Sequence, residues 1–265
     1  MSFSRRYDEP EPQRVNRWLA QSGVCSRREA EALILDGLVL IDGEVVTDAG
    51  RKILPGQTLT LAERGAQKLS GALTAVLHKP VGYVSGQPEP GYTPAVRLLT
   101  AQNLTGPGDD IPGPDRSLPP LGRLDMDSRG LLILSEDGVL ARAVIGPESD
   151  LEKEYIVRVR GHITPDKVRR LRHGLSLDGK PLKPARVTHT GMATLRFILK
   201  EGRNRQIRRM CELVDLRVTD LFRVRIGPLK LGDLPESKWR VLTADERQAL
   251  IERAKPRGAQ PNAAS

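Results

Sequence analysis

Residues 14–61 carry two helical hydrophobic patterns followed by short extended ones. Val15, Trp18 and Leu19 recur at helical spacing, and Ser26–Glu29 has the form of a capping box that begins a second helix. A glycine is placed to end that helix, and the alternating run after it turns at an Asp-Gly pair, which is typical of a β-hairpin. The pattern therefore predicts a small helix-turn-helix-hairpin domain.

Strand patterns outnumber helical ones in the rest of the chain. Thr164-Pro165 begins one helix, with proline at the first helical position, and Thr243–Glu246 caps another. This balance predicts an α+β domain with a mixed or antiparallel sheet. The clearest strand patterns lie at residues 130–135, 154–161, 185–190, 193–200 and 223–231.

Polar segments flank and separate these two regions. A Gly/Pro/Asp-rich stretch at 99–120 is predicted to be a flexible surface loop, and the charged, Pro-containing ends are predicted to be disordered. The predicted division is a disordered lead at 1–13, a small domain at 14–61, a linker at 62–70, a larger domain at 71–254 and a disordered tail at 255–265.

The charge balance points to a polyanionic partner. Lys and Arg number 42 against 33 Asp and Glu, which gives a net charge of +9, although charge alone does not separate RNA, DNA and a membrane surface. No run of about 18 apolar residues suggests a membrane span. Cys25 and Cys211 sit in no metal-binding spacing and fit a reducing compartment, so a cytoplasmic protein without a metal is expected.

Several kinds of catalytic machinery have no counterpart in the sequence. There is no P-loop, G-x-G-x-x-G, G-x-S-x-G or H-E-x-x-H motif, and no cofactor is indicated. The four histidines are interpreted as surface or strand-end residues: His78, His162, His173 and His189. Any chemistry is left to carboxylates, tyrosine, lysine and arginine.

One candidate carboxylate lies where the Gly/Pro-rich loop meets a strand pattern. The segment Leu121–Gly130 reads LGRLDMDSRG and runs into the apolar strand LLILS, a position at which scaffolds often present catalytic side chains. Asp125 is the candidate. The alternative is that Asp125, Asp127, Ser128 and Gly130 only build a turn.

A second candidate is the helical pattern EGRNRQIRRMCELV at 201–214. Ile207 belongs to an apolar face that is predicted to pack in the core, whereas Arg205, Arg208 and Arg209 share another face. Such a cluster can hold phosphates, and one guanidinium can pair with a carboxylate and keep it ionised. The alternative is an ordinary solvated basic face.

Other residues offer weaker signals. Tyr155 can stack on a base and exchange a proton, although a core tyrosine in a strand is the alternative. Lys79 is either a phosphate contact or part of a turn. Arg27 and Arg28 begin the capped helix and can meet phosphates there.

Together these segments resemble the pseudouridine synthases of the RsuA/RluB/RluE/RluF type over residues 14–252. Residues 14–61 resemble an S4 RNA-binding domain, and HKPVG, LGRLDMDSRGLLILSEDG, LEKEYIVRV and EGRNRQIRRMCELV resemble the successive catalytic motifs of the family in order. The segment NRQIRRMCE at residues 204–212 is most similar to the RluF branch. His78 stands where the family usually has Asn, and the loop at 99–118 is longer than usual.

The resemblance implies that the larger domain isomerises a uridine of large-subunit ribosomal RNA, with no cofactor. Asp125 would be the essential carboxylate, as a nucleophile or as a base on the sugar, and Arg208 its ion-pair partner. Ile207 would pack beneath the uracil and Tyr155 would stack on it, while Arg123 would fill the gap left by the extruded uridine. The remaining substrate contacts are assigned to basic residues: Lys79, Arg203, Arg205, Arg209, Arg27 and Arg28.

Other functions remain open at this point. The same chemistry can act on small-subunit ribosomal RNA or transfer RNA, and a non-catalytic RNA-binding or ribosome-assembly factor can keep the same fold. A DNA-binding regulator would leave the second domain without a purpose. A structured RNA is the expected partner, and a monomer is the expected state.

Overall fold

The computed structural model describes residues 3–86, 90–113, 116 and 118–254. Within those ranges the chain forms seven α-helices and eighteen strands. It divides into two compact units: the first holds the chain up to Thr74 together with Ser135–Arg142, and the second holds the rest. The predicted tail at 255–265 lies outside the described residues.

The first unit combines short helices with a four-stranded sheet in the order β1-β6-β3-β4. Its helices are α1 (Val15–Gln21), α2 (Arg27–Leu35) and α3 (Glu63–Ser70). Its strands are β1 (Ser4–Arg6), β2 (Gln13–Arg14), β3 (Val39–Ile41), β4 (Glu44–Val45), β5 (Lys52–Ile53) and β6 (Thr58–Leu61).

The local signals read from the sequence are confirmed in this unit. Ser26 and Glu29 form a reciprocal capping box at the start of α2, with Ser26 Oγ accepting from Glu29 N at 3.2 Å. Gly37 has a φ of 68° just after that helix. Asp42 and Gly43 both have positive φ, at 50° and 85°, as the two-residue turn of the β3–β4 hairpin requires.

Two predictions for polar segments are wrong in part. Within the lead predicted to be disordered, Ser4–Arg6 forms β1 and pairs with β6, and Tyr7 is 2% exposed with its ring edge-on to Trp18. The segment 62–70, interpreted as a linker, consists mostly of α3. Pairing between segments more than 50 residues apart leaves no local signal in a short polar stretch.

Along the rest of the chain, strands predominate. The helices are α4 (Gly138–Ile145), α5 (Pro165–Arg172), α6 (Gln206–Glu212) and α7 (Ala244–Ala254), and Ala95–Leu98 and Ala101–Asn103 are short 3₁₀ helices. The strands are β7 (Thr74–Lys79), β8 (Tyr83–Val84), β9 (Thr93–Pro94), β10 (Arg129–Ser135), β11 (Lys153–Arg160), β12 (Ser176–Leu177), β13 (Lys180–Pro181), β14 (Arg186–Gly191), β15 (Thr194–Leu199), β16 (Arg217–Ile226), β17 (Leu229–Lys230) and β18 (Trp239–Val241).

An eight-stranded sheet organises this region. Its order is β14-β15-β11-β16-β10-β7-β18, with β17 paired to β16. β10 and β16 run parallel, whereas β11 is antiparallel to both of its neighbours. The α+β class with a mixed sheet is therefore confirmed. Phe197 of β15 and Ile207 of α6 belong to the core on one face of this sheet.

The interpretation of His78 as a surface residue is wrong, whereas the alternative of a strand-end residue fits its place next to the last residue of β7. It is 7% exposed in β7, its Nδ1 lies 2.8 Å from the carbonyl oxygen of Leu234, and its ring stacks on Phe222. All six residues of β7 are buried, so polar residues in this strand lie inside the fold. Within the described part of the chain, no helix has the length and apolar character needed to cross a membrane.

The parallel contact between β10 and β16 depends on the absence of a side chain at Gly130. A Cβ there would lie 2.3 Å from the carbonyl oxygen of Arg223, and its φ of 113° is unfavourable for other residues. We expect Gly130→Ala to lower the free energy of unfolding by about 3 kcal/mol in urea titrations. Gly202→Ala, where a Cβ would meet nothing within 4 Å, is the matched control. Equal effects of both changes would contradict this account.

Candidate active site

The candidate carboxylate lies on a turn whose backbone is held on both sides. Ser128 N donates to the Asp125 carbonyl oxygen at 3.1 Å, which closes a β-turn directly before β10. Ser85 Oγ donates to Leu124 O at 2.8 Å and accepts from Leu124 N at 2.9 Å. One buried hydroxyl therefore satisfies both backbone groups of the residue preceding Asp125.

A buried arginine ties the same turn to the sheet. Arg223 of β16 is 4% exposed and donates to the carbonyl oxygens of Leu131 at 2.8 Å and Arg123 at 3.3 Å. Gly82 N donates to Met126 O at 2.8 Å from the turn that follows β7. The turn is thus fixed by contacts from separate segments, as a preorganised site requires.

Lys79 lies beneath this turn and is not available to a phosphate, contrary to its assignment as a substrate contact. It is 0% exposed, and its Nζ donates to the carbonyl oxygens of Pro80 at 2.8 Å and Ser128 at 2.7 Å. Burial lowers the pKa of Lys79 to about 8, although the nearby carboxylates of Asp125 and Asp127 act in the opposite direction. Its role is to hold the turn from inside.

The ion pair predicted between Arg208 and Asp125 is wrong. Arg208 Nη2 donates to the Asp127 carbonyl oxygen at 2.7 Å and to Ser128 Oγ at 3.1 Å, and it lies 3.3 Å from Asp127 Oδ1. The guanidinium that approaches Asp125 is that of Arg205, with Nη1 3.7 Å from Oδ2. Arg208 binds the neighbouring aspartate and its backbone instead.

The sequence suggested that Arg205 and Arg208 share a helical face. They do not, because α6 begins at Gln206, one residue after Arg205. Arg205 has φ 47° and ψ 32°, a left-handed conformation that sets its side chain apart from the helix. Its guanidinium binds Asp127 at 3.1 and 2.9 Å, a bidentate arrangement. Partial burial raises the pKa of Asp127, but hydrogen bonding to Arg205 and the charge of Arg208 outweigh it, so the pKa is lowered.

A cavity of about 620 Å³ opens beside the turn. Tyr155 of β11 and the 4% exposed Ile207 of α6 contribute to its wall, as do Leu124 of the turn and Leu221 of β16. Six of the residues predicted to act on substrate line it: Arg123, Asp125, Tyr155, Arg203, Arg205 and Ile207. The sequence therefore identified side chains that meet around one space.

Other predicted contacts are engaged elsewhere. Arg203 lines the cavity, but its guanidinium donates to three carbonyl oxygens of the β12–β13 hairpin at 2.6 to 3.3 Å. Arg209 binds Asp178 at 3.0 and 2.6 Å and is not part of the cavity wall. Arg27 and Arg28 are exposed at the start of α2 in the first unit.

Three residues of the site were not found as functional from the sequence. Ser85, Asp127 and Arg223 fix the turn or its arginines, yet Ser85 follows a short strand and Arg223 lies within a strand pattern. Asp127 did give a signal, because a second carboxylate two residues from Asp125 favours a cation nearby. It was interpreted only as a turn residue.

Comparison with known families identifies two parts of the chain. Residues 13–59 match the S4 domain, and residues 74–213 match the family described as RNA pseudouridylate synthase. A solved crystal structure of a pseudouridylate synthase has the same fold, with a TM-score of 0.60 and 23% identity over 89% of this chain and 99% of that one.

Two relatives identified by sequence similarity are RNA pseudouridine synthases. An uncharacterized RNA pseudouridine synthase of Aquifex aeolicus is 34% identical over 90% of this chain and 93% of its own length. The dual-specificity RNA pseudouridine synthase RluF of Escherichia coli K12 is 35% identical over 88% of this chain and 76% of its length. The chain belongs to the RNA pseudouridylate synthase family, whose members are isomerases, and it carries an S4 domain.

The buried ammonium of Lys79 should leave a signature in stability against pH. Below pH 8 the lysine is protonated whether the chain is folded or not, but between pH 8 and 10.5 the unfolded chain binds more protons. Stability from this group therefore rises with pH over that window, by up to about 3 kcal/mol. We expect the difference in free energy of unfolding between wild type and Lys79→Met to increase accordingly in urea titrations. A constant difference would mean that the ammonium is not desolvated.

Proposed function

We propose that this enzyme converts a specific uridine of large-subunit ribosomal RNA to pseudouridine, with Asp125 as the essential carboxylate. The observation that carries the proposal is the convergence of Asp125, Tyr155, Arg205 and Ile207 on one cavity. At about 620 Å³, the cavity is within the size range of small-ligand sites and suits one flipped nucleotide. Its wall combines one carboxylate with cations and apolar surface.

The reaction rearranges bonds within one nucleotide. The N1–C1′ bond breaks, the uracil turns, and a C5–C1′ bond forms, after which C5 loses its proton and N1 holds one. Asp125 begins this sequence either by attacking C1′ as a nucleophile or by removing a proton from the sugar. Atoms and electrons balance in both routes, because the product is an isomer of the substrate.

The other residues of the wall suit the detached base. Ile207 provides a buried apolar surface beneath the uracil, and Tyr155 provides a ring to stack on it and a hydroxyl to help transfer the C5 proton. Arg205 and Arg208 place positive charge beside the carboxylates, where negative charge develops on the departing uracil. Exposed Arg123 at the rim would occupy the space left in the RNA.

The choice of ribosomal RNA rests on resemblance to the RluF branch, so other targets are outcomes of the test. Small-subunit ribosomal RNA or transfer RNA would serve the same chemistry, and a binding-only factor would modify nothing. We also propose that the enzyme acts as a monomer in the cytoplasm. The net charge of +9 supports a polyanionic partner of any of these kinds.

The decisive experiment replaces the candidate carboxylate without changing its size. We expect Asp125→Asn to lower turnover by about 10⁴-fold or more while RNA affinity changes little, because an amide is neither a nucleophile nor a base. Pseudouridine is mapped by carbodiimide labelling and primer extension of total RNA from cells that carry wild type, the variant or no enzyme.

Asp233→Asn, an exposed carboxylate of the same unit, is the matched control. A single site lost from 23S RNA in the deletion and in Asp125→Asn, but kept in Asp233→Asn, supports the proposal. Turnover of Asp125→Asn near that of wild type would remove Asp125 from the chemistry. A site lost from 16S RNA or transfer RNA would move the target, and no lost site would favour the binding-only factor.

The S4 domain is proposed to dock the RNA through the start of α2. Arg27 and Arg28 are exposed beside the first N–H groups of that helix, where phosphates are favoured. We expect Arg27→Gln/Arg28→Gln to weaken RNA binding about five- to tenfold at roughly 0.15 M salt and to flatten its salt dependence, with kcat little changed. Equal affinity of variant and wild type in filter binding would exclude this docking contact.

A further inference from the structure

The strands that carry Tyr155 also carry a second polar surface on the opposite face of the sheet. Successive side chains of a strand point to opposite faces, so Glu154 and Tyr155 of β11 face away from each other. On β15, Phe197 is buried in the core with 0% exposure, whereas Arg196 is exposed. The face opposite the core is therefore the one that carries Glu154 and Arg196.

The strand register aligns charged residues on that outer face. Arg186 of β14 is opposite Ile198 of β15, which is opposite Glu154. Glu154 is opposite Arg225 of β16, which is opposite Lys230 of β17. This line crosses five strands, or about 19 Å at the usual strand spacing. Arg196 lies beside this line, two residues before Ile198 on β15 and therefore on the same face. We call the cations Arg186, Arg196, Arg225 and Lys230 the arginine row.

The row borders an open groove of about 730 Å³. The side chains of Arg186 and Arg196 are 67% and 46% exposed even though both are ion-paired. Lys230 is also exposed, and Ile198 contributes an apolar floor between the cations. A ligand in this groove would reach the charged groups without any rearrangement of the backbone.

Two glutamates fix the arginines and leave a positive excess. Glu154, 8% exposed, binds Arg196 and Arg225 at 2.6 Å each, and Glu152 lies 2.7 Å from Arg186 and 3.5 Å from Arg225. Burial raises the pKa of Glu154, but its two arginine hydrogen bonds outweigh this, so its pKa is lowered and it stays charged. Four cations thus face two carboxylates, and each guanidinium keeps N–H groups for another acceptor.

We propose that the arginine row binds the phosphate backbone of the substrate RNA at a point remote from the modified uridine. The inference rests on the proposed function in one respect, namely that the substrate is a large structured RNA. Such an RNA presents closely spaced phosphates along its backbone, so a row about 19 Å long can contact more than one of them. Guanidinium groups held in place by Glu152 and Glu154 lose less freedom when they bind phosphate.

The test compares two triple variants of the full chain that remove equal charge. One is Arg186→Gln/Arg196→Gln/Lys230→Gln; Arg225 then remains to pair with both glutamates. The control is Lys167→Gln/Arg169→Gln/Arg170→Gln on α5, whose Val168 and Leu171 pack in the core on the other face. Filter binding to protein-free 23S ribosomal RNA is measured over a salt series, with circular dichroism to confirm folding.

We expect the row variant to bind about tenfold more weakly at roughly 0.15 M salt, with a shallower slope of log affinity against log salt, and the α5 control to bind nearly as wild type. Equal losses in both variants, or none in the row variant, would overturn the proposal.

A second measurement does not depend on any substitution. Acetylation of Lys230 in the wild-type protein should be slowed severalfold by the same RNA, relative to Lys167. Unchanged labelling of Lys230 would count against the surface. Both assays report binding alone, so they are unaffected if Asp125 proves to be wrongly assigned as the catalytic residue.

Discussion

The candidate site depends on a buried ammonium group. Lys79 has no exposed surface, and its two carbonyl partners satisfy part of its hydrogen-bonding capacity. Burying a cation is costly unless negative charge lies nearby, and Asp125 and Asp127 are the carboxylates that contribute most of that charge. The same turn that carries the candidate catalytic group therefore also stabilises the lysine beneath it. Substitution of Asp125 or Asp127 is therefore expected to affect the stabilisation of Lys79 as well as the site itself.

Because successive side chains of a strand point to opposite faces, the two faces of the sheet carry different groups of functional residues. Tyr155 faces the cavity with the core behind it, whereas Glu154, its immediate neighbour, organises arginines on the other face. A shift of one residue in the register of β11 would exchange these side chains. The buried residues of β15 and β16 hold that register, because Phe197 and Leu221 lie opposite Tyr155 and Val157 of β11.

Local patterns predicted most of the elements, whereas side-chain partners often escaped them. The capping box at Ser26 and the hairpin turn at Asp42 use only neighbouring residues, so the sequence was sufficient to identify them. The strand at Ser4–Arg6 requires a partner more than 50 residues away. The sequence did not predict the burial of His78 and Lys79, because polar residues before a proline resemble a turn. Only the assembled sheet shows that every residue of β7 is buried.

The observed partners of Arg205 and Arg208 differ from the predicted ones, and the difference has a chemical consequence. Helical spacing placed Arg205 and Arg208 on one surface, and the family resemblance implied Arg208 as the partner of Asp125. The left-handed backbone at Arg205 instead lets Arg205 reach both aspartates.

Asp127 takes the bidentate contact, and Asp125 has the longer one at 3.7 Å. A carboxylate whose lone pairs are engaged in short charge-assisted hydrogen bonds is a weaker nucleophile than one that is only loosely paired. By binding Arg205 closely, Asp127 keeps a cation beside Asp125 without engaging its oxygens fully. This arrangement leaves Asp125 beside a cation at 3.7 Å, without the short bidentate contact that Asp127 makes.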